Sequence, residues 1–159
     1  MGRCRQNADG LLMTHHSLYP KVLVFIQFTI IGAIVLFSTG FSSSILPVVI
    51  FMIGLLCGLL AIKHNKLGNF NIQPKLKESS QLITSGIYQY IRHPMYTSVS
   101  IMMFAFFIST PSAIEGFLFV ILITVLTLKA KKEEELWLIH DKSYQEYKKR
   151  TKLFIPYLL

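Results

Sequence analysis

The sequence predicts an all-α, multi-pass transmembrane helical bundle with about four spans and a cytosolic C-terminal helix. Three observations carry this reading. The apolar residues gather into long blocks of which only the last carries a charge, Glu115 near its start, charged residues are scarce, and Lys and Arg fall outside those blocks in a one-sided pattern. Of 159 residues, 52% are hydrophobic and 15% charged, where a soluble domain has roughly 25% charged. Mean hydropathy is +0.50. So much apolar sequence in so few blocks is destined for a bilayer rather than for a modest aqueous core.

In chain order, residues 1–20 read as a polar tail. His15 and His16 stand side by side there, a spacing that does not build a metal site. Gln6 occupies the place where N-myristoylation wants Ser or Thr. Cys4 in the tail and Cys57 inside a span do not suit a disulfide. Residues 22–40 and 45–62 carry no charge, and each block is close to the roughly 20 residues that cross about 30 Å of hydrocarbon. The first is long and preceded by a substantial polar stretch, so it reads as a retained span rather than a cleaved signal. In the second, Gly54 and Gly58 allow close helix approach, read here as packing within the chain. Residues 95–109 and 113–128 read as a shorter pair, turned by Thr110, Pro111 and Ser112. One membrane domain, 21–159, results, with polar regions 65–94 and 129–159 set aside for chemistry.

Charge orients the bundle, because Lys and Arg mark cytoplasmic loops. With four spans all 16 Lys and Arg residues fall on one side, and the loops at 41–44 and 110–112 have none. Three or five spans would break that pattern. Both termini and the polar regions are therefore expected in the cytosol. The net charge of +8 lies beside membrane spans, where anionic lipid headgroups rather than nucleic acid are its expected partners.

The densest chemical signal runs from Leu82 to Tyr96. Pro94 suits the first turn of a helix, since its missing amide hydrogen leaves nothing unpaired there. Arg92 and His93 then sit before a helix N-terminus, which favours an anionic group. Gly86 supplies an unusual backbone angle or a close approach. Tyr88 and Tyr96 offer aromatic faces to a purine or a sulfonium. Read without further context, Arg92, His93 and the tyrosines would serve equally as juxtamembrane anchors and an interfacial aromatic belt. Likewise, Glu134 would be one of three acids on a solvated helix. Beyond residue 128, acids four positions after Lys129 and Lys131 let the fourth helix continue past the membrane. The closing apolar group from Leu153 to Tyr157 is expected to lie back on the interface.

Thr84, Ser85, Gly86, Ile87 and Tyr88, then Arg92, His93, Pro94 and Tyr96, are followed after a hydrophobic hairpin by Glu133 to Glu135, Tyr144, Tyr147 and Lys148 to Arg150. This ordered pair of motifs, covering about residues 65–159, resembles the isoprenylcysteine carboxyl methyltransferase family. The resemblance implies an integral membrane enzyme that binds S-adenosylmethionine in a cytosolic pocket and methylates a lipid-like acceptor such as a prenylated cysteine. It carries cofactor binding onto Gln73, Leu82, Ile83, Tyr88, His93, Pro94, Met95, Tyr96 and Glu134, and catalysis onto Arg92 and Glu134, with no metal. The arginine that the family sets one helical turn before the glutamate, in contact with substrate, falls on Ala130 here.

Methyl transfer from a sulfonium asks for alignment and exclusion of water rather than covalent catalysis. A carboxylate acceptor is already ionised and needs a cationic partner, for which Arg92, Lys129 and Lys131 are candidates. An amine acceptor, on a phospholipid or a small hydrophobic molecule, must lose a proton, to His93 or a glutamate. A non-enzymatic membrane subunit is the remaining alternative, although its spans carry almost no charge to line a pathway.

Overall fold

The computed structural model describes residues 3–39, 41, 44–65 and 81–155, with side chains from residue 19 onward. Five α-helices follow in order: α1 Arg3–Phe37, α2 Ile45–His64, α3 Pro94–Ser109, α4 Ala113–His140 and α5 Tyr144–Arg150, with a 3₁₀ turn at Gly86–Gln89 before α3. The protein is an all-α membrane bundle. Tyr19–Phe37, Ile45–His64 and Ala113–His140 are each long and apolar enough to cross a bilayer, whereas α3 is apolar but shorter. Its 16 residues reach about 24 Å at 1.5 Å per residue, short of the roughly 30 Å hydrocarbon core.

One boundary departs from expectation. Helix α1 begins at Arg3, so residues read as a polar tail continue the first helix. No proline precedes Pro20, and Ala8, Leu11, Leu12 and Met13 are strong helix formers. At the other end α4 runs to His140, well beyond residue 128, as the Lys-Glu spacing allows. Its start is capped by Ser112, whose hydroxyl accepts from the Glu115 amide at 3.1 Å. Pro94 opens α3 at its first turn.

Packing follows from small residues where helices meet and large apolar ones where they do not. Helices in lipid gain little from hydrophobic burial against one another, so close approach holds them. A Cβ on Gly54 would meet Met102 Cγ at 2.8 Å and one on Gly58 would meet Ser98 Oγ at 2.6 Å. The glycine pair thus receives α3 of the same chain, and Ser98 Oγ donates to the Gly54 carbonyl at 2.7 Å. Helices α1, α3 and α4 share a core of Leu23, Ile30, Ile34, Met103, Leu122, Val125 and Leu126. The opposite faces point large apolar side chains outward, including Phe25, Leu36, Ile45 and Phe117. Exposed apolar surface of this extent suits lipid, not water.

Candidate functional site

The site forms where the segment before α3, the extension of α4 and the C-terminal segment converge. Gly86 holds a positive φ of 62°, and a Cβ there would lie 2.1 Å from the His64 ring. Only glycine lets the chain turn so tightly against the end of α2. The turn presents Tyr88, whose carbonyl accepts from the Tyr147 hydroxyl at 2.6 Å. Burial, then the Glu133 carboxylate and Cys57, push the Tyr88 phenol up to about 12, so it stays neutral.

A backbone strap locks the C-terminal segment onto the start of α3. The Lys152 amide donates to the Tyr90 carbonyl at 3.1 Å, the Arg92 amide to Lys152 at 2.8 Å and the His93 amide to Leu153 at 3.2 Å. Further along, Thr97 Oγ1 donates to the Phe154 carbonyl at 2.8 Å. The expectation that the tail lies on the membrane interface concerns residues partly outside those described. Through Phe154, however, the segment is bound to the start of α3.

Arg92 and Glu134 meet beneath this strap. Arg92 Nε lies 2.5 Å from Glu134 Oε1, and the same guanidinium donates to the carbonyl oxygens of Lys148 and Thr151. Glu134 also meets Lys148 Nζ at 2.7 Å, and His93 Nε2 stands 3.6 Å from it. The neighbouring Glu133 accepts from the Tyr96 hydroxyl at 2.5 Å and lies 3.5 Å from His93 Nδ1. Burial alone would lower the His93 pKa. The two glutamates outweigh burial, and the net shift is upward, favouring imidazolium. Tyr96 stacks on His93, with ring centroids 5.6 Å apart and planes 9° from parallel.

Above this cluster is a cavity of about 350 Å³, lined among others by Leu82, Ile83, Tyr88, His93, Pro94, Met95, Tyr96, Glu133 and Trp137. That volume is in the range of small-molecule sites. The structure therefore gathers onto one wall all the expected cofactor positions except two. Gln73 lies outside the described residues. Glu134 is buried in its ion pairs and is absent from the wall, where Glu133 stands instead. Arg92 reaches the wall but has its guanidinium committed to Glu134 and to carbonyls. Ala130 is wholly buried and also off the wall, whereas its neighbour Lys129 is on it.

Sequence reasoning assigned no role to Gln27, Trp137, Tyr144 or Tyr147, which also line the cavity. Two signals were there to be read. Gln27 is the one amide side chain in an uncharged span. Lys129, Glu133 and Trp137 recur at intervals of four, which places them along one face of α4.

The donor set fits S-adenosylmethionine. The aromatic rings of Tyr88, Tyr96 and Trp137 suit a purine face and a sulfonium, and Glu133 adds negative charge for the cationic parts. His93 lines the cavity, while its buried Nε2 has no hydrogen-bond partner among the described residues and stands 3.6 Å from Glu134 Oε1. Fold and site together fit a polytopic membrane methyltransferase that uses S-adenosylmethionine and acts on a lipid-like acceptor, and the family match shows that class. Residues 42–146 match the phospholipid methyltransferase family, and the chain belongs to it. The resemblance to the isoprenylcysteine enzymes thus resolves at the level of the broader membrane methyltransferase group rather than that single family. Comparison with curated proteins returned no match.

Proposed function

We propose that this protein methylates the amine of a membrane phospholipid, with S-adenosylmethionine as donor. The observation that carries the reading is the division of labour between the two glutamates. Glu134 neutralises Arg92, leaving that arginine little capacity to anchor an acceptor carboxylate. Glu133, on the cavity wall, suits an incoming ammonium. Membership of the phospholipid methyltransferase family supports the same acceptor class.

S-adenosylmethionine, held against the rings of Tyr88, Tyr96 and Trp137, would supply an electrophilic methyl group, the carbon–sulfur electron pair staying on sulfur as S-adenosylhomocysteine. The chain's residues do the rest. Glu133 attracts the ammonium and accepts its proton at a carboxylate oxygen, freeing the nitrogen lone pair. Tyr96 and His93, both against Glu133, fix that carboxylate's orientation. The apolar and aromatic wall excludes water from the methyl group. Arg92 and Glu134, read from the motif as catalytic, act in this scheme as the support that holds His93 and the strap in place.

We further infer that α3 completes a fourth span and that the site faces the cytosol. Support comes from the distribution of Lys and Arg, all of which then fall on one side.

The test is methyl transfer from labelled S-adenosylmethionine by the purified, detergent-solubilised protein. Phosphatidylethanolamine and a farnesylcysteine analogue are offered in parallel. Label in the phospholipid is expected, and Glu133→Gln should reduce its rate by about 10²-fold or more, the usual range for a lost acid–base group. Label in farnesylcysteine alone would replace the amine with a prenylcysteine carboxylate, the acceptor the motif resemblance implies.

A further inference from the structure

Lys129 is a buried cation without a direct ion-pair partner among the described residues. It is 2% exposed, and its Nζ donates to Gln27 Oε1 at 2.5 Å and stands 5.2 Å from the Tyr96 ring centroid. Among the described residues no carboxylate lies within ion-pair distance of it. The nearest acid on its own helix face, Glu133, is engaged by Tyr96. A lysine is almost never fully buried unless paired, and an ammonium taken from water with one amide oxygen in direct contact and its nearest carboxylate beyond ion-pair distance is poorly compensated. Two of its three N–H donors find no acceptor among the described residues, and the residue lines the cavity.

The surroundings indicate what completes the site. Next to Lys129 and Gln27, the cavity wall continues along Phe28, Ile31 and Val99, apolar residues of α1 and α3. Phe28 is itself 55% exposed on the lipid-facing surface. The cavity therefore changes character along its length. The acidic, aromatic end holds Glu133, the cation sits further along, and the apolar residues reach toward lipid. A phospholipid with an amine headgroup carries complementary chemistry in the same order: a cationic nitrogen, an anionic phosphodiester, then acyl chains.

We propose that Lys129, held by Gln27, forms a subsite for the phosphodiester of the acceptor and so selects phospholipids over simple amines. This rests on the amine reading of the site above. It gives Lys129 the anionic contact that Arg92, tied to Glu134, leaves open, and it does so one residue away from the buried Ala130.

The test reads binding rather than turnover. Trp137 is the only tryptophan and lines the cavity, so its fluorescence reports occupancy in the full-length protein in neutral detergent. Three probes are titrated: dihexanoyl-phosphatidylethanolamine, a long-chain alkylamine without phosphate, and a farnesylcysteine analogue. Lys129→Met should weaken binding of the phospholipid by about tenfold or more, the scale of a lost charge-assisted bond. It should leave the alkylamine and S-adenosylhomocysteine unchanged, the latter also showing that the fold is intact. Lys129→Arg should retain most of the phospholipid affinity. Gln27→Glu, which leaves the lysine in place but gives it an internal counterion, should weaken phospholipid binding as Lys129→Met does. Unchanged phospholipid affinity in both neutralising variants overturns the subsite, as does an equal loss for the alkylamine. If the wild type methylates phosphatidylethanolamine while these variants bind it normally, the subsite falls and the amine reading stands. If Lys129 governs farnesylcysteine binding and the phospholipid does not bind, both fall together.

Discussion

The two ends of the bundle are held by different physics. At one end Phe41, Phe51 and Phe106 pack ring against ring, with Phe41 and Phe106 stacked at 4.4 Å, and Ser38 shares a hydrogen bond with Ser109 at 2.8 Å. No charged side chain takes part in those contacts. At the other end Arg92, His93, Glu133, Glu134 and Lys148 form a buried polar cluster under a backbone strap. Apolar contacts tolerate loss of a member by repacking, whereas a buried ion cluster stripped of one member leaves a charge with no compensation. The chemistry therefore occupies the end that is specific and breakable, and aromatic packing closes the far end.

Removing the cluster's central pair should expose this difference most sharply. Arg92→Ala or Glu134→Ala, with side chains only 9% and 6% exposed, should destabilise the protein by about 3–5 kcal/mol and abolish S-adenosylhomocysteine binding in calorimetry. Phe51→Ala at the far end should lower the melting temperature yet leave that affinity unchanged. Equal effects on affinity from both ends would erase the distinction. Next in size is Gly86→Ala, which forces a side chain into positive φ and into the His64 ring. A loss of about 1–3 kcal/mol is expected, with weaker cofactor binding because Tyr88 is displaced.

The pH response separates the ends in another way. The His93 pKa is raised on folding above its ordinary 6.5, so its contribution is fully present below the unfolded value. That contribution is lost as pH rises through the folded value. The destabilisation caused by His93→Gln should accordingly be greatest near about pH 6 and shrink toward about pH 9, on the scale of ordinary histidine titration. Melting curves of both proteins across that interval check it. A pH-independent difference would mean that His93 contributes only packing. Smallest of all, Glu135→Gln removes an exposed pair with Lys132 at 2.9 Å and should change stability by no more than about 0.5 kcal/mol. A larger loss would extend the electrostatic cluster along α4 beyond its buried core.

Part of the site was legible because its residues are close in sequence. Leu82, Ile83, Tyr88 and His93 to Tyr96 fall within one short segment, so a proline that starts α3 and a glycine before it suffice to place them together. The two glutamates were not separable in this way. Adjacent positions on a helix point about 100° apart, and only the rotation of α4 against α3 and the strap sends Glu133 to the cavity and Glu134 to Arg92. The first helix was underestimated because its N-terminal polar residues carry no apolar stripe, although their helix propensity is good.

The sequence by itself determined that this is a multi-pass membrane bundle, since hydrophobic block length and charge scarcity act locally and additively. It also marked the chemical segment, through residue types that backbone physics requires at a helix start. Which acid faces the cavity, and that Gln27 meets Lys129 across 102 residues of chain, were decided only by the tertiary structure. Those outcomes depend on helix rotation and on the packing of α1 and α3 against α4, which juxtapose side chains that no local pattern relates.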